Sequence, residues 1–147
     1  GTTFHRLLDE RNTKVFHGKA KRIVLCSGKV YYDLATARNA AEAWDIEILR
    51  IEQLYPFPNK ALRGILLKTP RSSVVWCQEE PKNMGGWTFV RDVIENIMAD
   101  AGMQQKSLDY VGRDAAASPA TGTLDRHKRE QIKLIAEALN LYPKSNN

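Results

Sequence analysis

Three short clusters of polar side chains in this chain of 147 residues have types and spacings that suit chemistry. Ser27-Gly28-Lys29 sets a hydroxyl, a permissive backbone position and an ammonium ahead of a helical pattern, where unpaired amides and the helix dipole favour an anion. Arg50 and Glu52 share one face of an apolar strand pattern, offering a guanidinium for a phosphate and a carboxylate for a ribose hydroxyl. Glu79 and Glu80 resemble a carboxylate pair, but neighbours on a strand point to opposite faces. A general acid–base dyad is therefore disfavoured, and either residue is a candidate for contact with a neighbouring domain.

Around Glu79 the chain reads Trp76-Cys77-Gln78-Glu79-Glu80-Pro81-Lys82-Asn83-Met84-Gly85-Gly86-Trp87, an apolar strand running into a proline-broken, glycine-paired turn. Gln78, Glu79, Glu80 and Asn83 cluster there within reach of a partner. Tyr55 and Phe57, interleaved with Pro56 and Pro58, are aromatic anchors on a stiff turn and have a claim to an interdomain surface. Trp76, inside its strand, reads as core. His5, His17 and His127 are scattered, so no metal is assigned, and Cys26 and Cys77 lack a CxxC spacing and read as small buried hydrophobes. No residue is assigned a catalytic role.

Composition bounds the rest. The chain is 43% hydrophobic and 27% charged, with net charge +5, and it has the length of one ordinary domain. Basic residues gather at Lys14, Lys19, Lys21 and Arg22 and again at Arg126, Lys128, Arg129 and Lys133, but without a nucleic-acid signature, so no nucleic-acid partner is expected. No apolar run approaches the ~20 residues of a membrane span, and membrane association is not expected. Gly1-Thr2-Thr3-Phe4 lacks a signal-peptide core, which points to a reducing compartment.

The elements that must position these residues alternate. Ile23–Cys26 reads as a strand covered on both faces, followed by a helix with Val30, Leu34, Ala37 and Ala41 inward. Ile46–Glu52 is the second strand, and Asn59 is the expected N-cap of a helix from Lys60 to Leu67 carrying Leu62, Ile65 and Leu66. A third strand covers Ser73–Glu79. The helix after it has Phe89, Val93 and Ile97 on one line and Val90 and Ile94 beside it. A fourth strand covers Leu108–Gly112. Residues 113–122 read as a loop, Thr123 as a cap, and Leu124–Leu139 as a helix with Ile132, Ile135 and Leu139 inward. The expected fold is α/β: a doubly wound, mostly parallel sheet with helices on both faces over residues 22–141, after a linker or the end of a preceding region over residues 1–21 and before a flexible tail of 142–147. Ligand-binding loops then belong at the carboxyl ends of the strands.

Four segments in order, Cys26 to Leu34, Arg50 to Pro58, Trp76 to Pro81 with Asn83, and Ala117 to Gly122, resemble the C-terminal, transketolase-type domain of the thiamine-diphosphate-dependent decarboxylating component of 2-oxoglutarate dehydrogenase. The resemblance implies a piece of a homodimeric subunit of the tricarboxylic acid cycle. Such a subunit decarboxylates 2-oxoglutarate and passes the succinyl group to the lipoyl arm of a dihydrolipoyl succinyltransferase core. Thiamine diphosphate and Mg2+ would bind in the parent outside this segment, since no Gly-Asp-Gly arrangement is present, and the piece alone would be inactive. It further implies the other domains of the subunit as partners and nucleotide regulation by AMP or acetyl-CoA, for which Ser27, Gly28, Lys29, Arg50 and Glu52 are the candidates. The compartment would be the bacterial cytoplasm or the mitochondrial matrix. Two alternatives stay open: a free-standing flavodoxin-like module for a nucleotide or flavin, and a 2-oxoadipate-type subunit.

Overall fold

The computed structural model describes residues 7–8, 14–113 and 124–141. His5, the Ala117–Gly122 motif, Thr123 as a cap and the tail of 142–147 lie outside the described residues.

Four strands form the parallel part of one sheet: β2 (Arg22–Cys26), β3 (Ile46–Ile51), β4 (Ser73–Pro81) and β5 (Asp109–Arg113). A two-residue strand, β1 (Leu7–Leu8), pairs antiparallel with β3, giving the order β1-β3-β2-β4-β5. Helices α1 (Val30–Ala40), α2 (Asn59–Leu67), α3 (Trp87–Asp100) and α4 (Leu124–Leu139) alternate with the strands. α2 and α3 cover one face over Leu25, Leu49, Val74 and Trp76, while α1 and α4 cover the other over Val24, Ile48, Val75 and Cys77. Both faces are thus buried, which is why the strands read as continuous apolar runs.

Several expectations need adjustment. Within residues 1–21, Leu7–Leu8 form β1, and Val15 and Ala20 are buried. Asn59 is the first residue of α2, and Pro58 stands in the cap position without a side-chain cap bond. Proline suits a helix start because its missing N–H would have lacked an intrahelical partner.

The inward stripe of α3 is Trp87, Val90, Ile94, Ile97 and Met98, and Phe89 is exposed. In α4, Leu134, Ile135, Ala138 and Leu139 face in, while Ile132 is 69% exposed. In α1, Ala41 falls past the helix end, and the inward residue of the last turn is Arg38, which is fully buried. Its Nη1 donates to the Ile46 carbonyl at 2.6 Å and its Nε to Asn39 Oδ1 at 2.9 Å, tying the end of α1 to the start of β3.

Candidate functional site

Because β2 to β5 run parallel, the connections that follow them leave from one rim of the sheet. β2 has β3 on one side and β4 on the other, so the connections after β2 and β4 diverge, and a crevice opens at that switch point. An open cleft of about 630 Å³ lies there, lined by Lys29 and Asp33 at the start of α1, Glu79 and Glu80 at the end of β4, Arg113 ending β5, and Gln131 on α4.

Its polar groups are wired together. Gln131 Nε2 donates to Asp33 Oδ2 at 3.0 Å and to Glu79 Oε1 at 2.9 Å, while Gln131 Oε1 is buried without a hydrogen-bond partner. Arg113 donates to Glu130 Oε2 at 3.0 Å and to His127 Nδ1 at 3.3 Å. The two cations Lys29 and Arg113 therefore face the carboxylates of Asp33, Glu79 and Glu80, with Glu130 behind Arg113. The cleft is acidic on balance, which favours ligand groups that donate hydrogen bonds or carry positive charge.

The Ser27-Gly28-Lys29 turn sits beside this cleft. Gly28 has φ 81°, a backbone conformation natural to glycine, and Lys29 occupies the cap position of α1 without a side-chain cap bond, so Ser27 does not cap the helix. Lys29 is exposed. Arg50, by contrast, is engaged within the protein. It pairs with Glu52, donates to Tyr32 Oη at 3.1 Å, and lies over the Tyr31 and Tyr32 rings at 5.5 and 5.4 Å. The hydrogen bonds it donates to Glu52 and then to Tyr32 hold its guanidinium above the usual arginine range. The structure therefore brings the five anion-site candidates to one region but leaves Lys29 as the cation open to a ligand.

Of the contact candidates, Tyr55, Glu80 and Asn83 face solvent, Tyr55 at 80% exposure and edge-on to Phe89 with ring centroids 6.5 Å apart. Phe57 is half-buried and packs on the α2–α3 side of the core. Glu79 is half-buried and held by Gln131.

Gln78 turns inward at 3% exposure. Its Oε1 accepts from Trp76 Nε1 at 2.9 Å and from the Trp87 N–H at 3.0 Å. Its Nε2 donates to the carbonyls of Glu80, Pro81 and Met84 at 3.2, 3.0 and 2.8 Å. What Gln78 contributes to any contact is the shape of the loop it holds.

Asp33, Arg113 and Gln131 of the cleft, and the exposed Phe89, were not among the sequence candidates. Gln131 carries a signal in retrospect: it stands one helical turn before Ile135 on the inward face of α4. Among the described residues no group of three or more His, Cys, Asp or Glu is arranged to hold a metal.

Comparison with known proteins agrees with the resemblance read from the sequence. A family model described as 2-oxoglutarate dehydrogenase C-terminal matches residues 1–139. The 2-oxoglutarate dehydrogenase E1 component of Brucella anthropi is 44% identical over 146 residues, which cover 94% of this chain and 15% of that protein. The Brucella ovis protein of the same name is also 44% identical, with 14% of its length covered. The chain thus spans about one seventh of the length of these relatives.

Proposed function

The chain belongs to the 2-oxoglutarate dehydrogenase C-terminal family, and from that premise we propose that it is the assembly domain of a thiamine-diphosphate-dependent E1 subunit, its carboxyl rim covered by the other domains. The observation that carries this reading is the rim itself. Parallel strands bring the connections after β2, β3 and β4 together there; exposed Tyr55 and Asn83 lie in those connections, and exposed Glu80 lies at the end of β4. An aromatic pair such as Tyr55–Phe89 left facing water is typical of a surface that another chain or domain covers.

In this reading the subunit decarboxylates 2-oxoglutarate, passes the succinyl group to the lipoyl arm of a dihydrolipoyl succinyltransferase core, and works as a homodimer. The residues of the cleft do not fit thiamine diphosphate with its Mg2+. Asp33 and Glu79 are bridged by Gln131, Arg113 is taken by Glu130, and the acidic balance opposes a diphosphate. The cofactor is accordingly assigned to the rest of the subunit, and the chain alone is expected to be inactive. Supplying the purified chain with thiamine diphosphate, Mg2+ and 2-oxoglutarate tests this: CO2 release above background would overturn it.

The reading extends to a regulatory nucleotide, AMP or acetyl-CoA, at the Ser27–Lys29 turn. In its favour are the open space around Gly28 at the start of α1 and the exposed Lys29, while the carboxylates of Asp33, Glu79 and Glu80 in the cleft that Lys29 also lines weigh against it. Arg50 joins such a ligand only by leaving Glu52 and Tyr32. Calorimetric titration with either compound tests it, and absence of heat at millimolar ligand would count against a site complete within this chain.

A further inference from the structure

The opposite rim carries an independent feature. Lys19 and Lys21, just before β2, and Lys68 and Arg71, just after α2, surround one open pocket of about 270 Å³. All four side chains are exposed, and the lining contains no carboxylate. Elsewhere Arg50, Arg63, Arg91, Arg113 and Arg126 each pair with an acid, whereas among the described residues none of these four does.

The frame beneath them is fixed. The Ser72 hydroxyl donates to the Ala20 carbonyl, the Thr69 hydroxyl to Ile65 O at 3.3 Å, and the Ser73 N–H to Lys21 O at 3.0 Å. Lys68 and Arg71 offset part of the negative end of α2, but Lys19 and Lys21 approach from another segment and have no such role. Four like charges around one pocket raise a local potential that an anionic surface relieves.

The chemistry of the lining narrows the partner. Both hydroxyls are spent on backbone carbonyls, so recognition falls to three flexible ammonium groups and one guanidinium, which suits several separated carboxylates. The residues that line the pocket include no aromatic ring on which a base would stack. We infer that this rim docks an acidic protein segment rich in Asp and Glu, and that the contact is electrostatic in rate and salt dependence.

The test is fluorescence anisotropy of a labelled twelve-residue Glu/Asp peptide with the full chain, at low ionic strength and at ~0.15 M salt. Binding that weakens with salt, and weakens roughly tenfold further in the Lys68→Glu/Arg71→Glu variant, is expected. The control Arg129→Glu/Lys133→Glu on α4 makes the same change in net charge and should move affinity by less than about twofold. Lys19→Gln/Lys21→Gln, a milder change on the other wall, should also weaken binding. Equal loss in the pocket and control variants would mean that net charge alone is responsible and would overturn the site. No binding at low salt, or tighter binding of a duplex DNA probe of equal charge, would overturn the acidic-protein assignment.

Discussion

The Gln78 carboxamide oxygen accepts the backbone N–H of Trp87 at 3.0 Å, joining the end of β4 to the first turn of α3 across the glycine pair. With the Trp76 indole on the same oxygen and three loop carbonyls on its nitrogen, one side chain specifies the whole turn. The rim therefore presents Lys82, Asn83 and Met84 on a pre-shaped support.

Gln78→Ala leaves the Trp76 and Trp87 donors without this acceptor and should cost about 3 kcal/mol. Gln78→Glu keeps the acceptor but turns an oxygen toward three carbonyls. A carboxyl placed so has its folded pKa raised above its unfolded value, so it contributes most favourably below about pH 4 and loses that contribution as pH rises. Urea denaturation at pH 5 and pH 7.5 should show the Glu variant falling further behind the wild type at the higher pH.

Gly85 has φ 68°, and an added Cβ would lie 2.9 Å from Glu80 Oε2 and 3.1 Å from Gln78 Oε1. Gly28, at φ 81°, has open space around it. Gly28→Ala should therefore cost about 1 kcal/mol from the backbone alone, and Gly85→Ala about 2 kcal/mol or more. Equal losses in thermal denaturation would contradict the role given to the Gln78 cage.

Cys26 and Cys77 are direct neighbours on β2 and β4 and fully buried. Burial pushes the Cys26 thiol up to about 12 and raises the Cys77 thiol as well. Raised folded values mean that the thiols favour the fold below their ordinary value of 9.0 and cease to do so as pH rises above it. Both should resist Ellman's reagent at pH 8 in the folded protein and react on unfolding. The domain should lose stability between pH 8 and pH 10, and Cys26→Ala/Cys77→Ala should flatten that loss.

How far the sequence reveals this molecule depends on the kind of residue. The alternation of strands and helices and the parallel sheet were legible because segments such as Ile23–Cys26 and Val74–Cys77 are continuous apolar runs, the pattern of strands covered on both faces. The two residues of β1 carry no local pattern, and their strand exists only because β3 offers an edge. A helix stripe is recognised by its apolar residues, so the inward polar side chains of Arg38 and Gln131, which tie α1 and α4 to the sheet, carry no such signal. At the candidate site the sequence named Lys29, Glu79 and Glu80, whereas Arg113 joins them only because β5 lies beside β4.

The shift of the α4 stripe is testable. Ile132→Lys should change stability by no more than about 0.5 kcal/mol, because Ile132 is 69% exposed. Ile135→Lys buries a charge in the α1–α4 side of the core and should abolish folding or cost more than about 3 kcal/mol. Circular dichroism melts of the two variants separate the outcomes.

The proposal that other domains cover this rim is tested most directly by hydroxyl-radical footprinting of this chain alone and within the full-length subunit. Tyr55, Met84 and Phe89, each exposed here, should be oxidised readily in the isolated chain and protected in the subunit. Equal oxidation of all three in both forms would contradict an assembly role for this face.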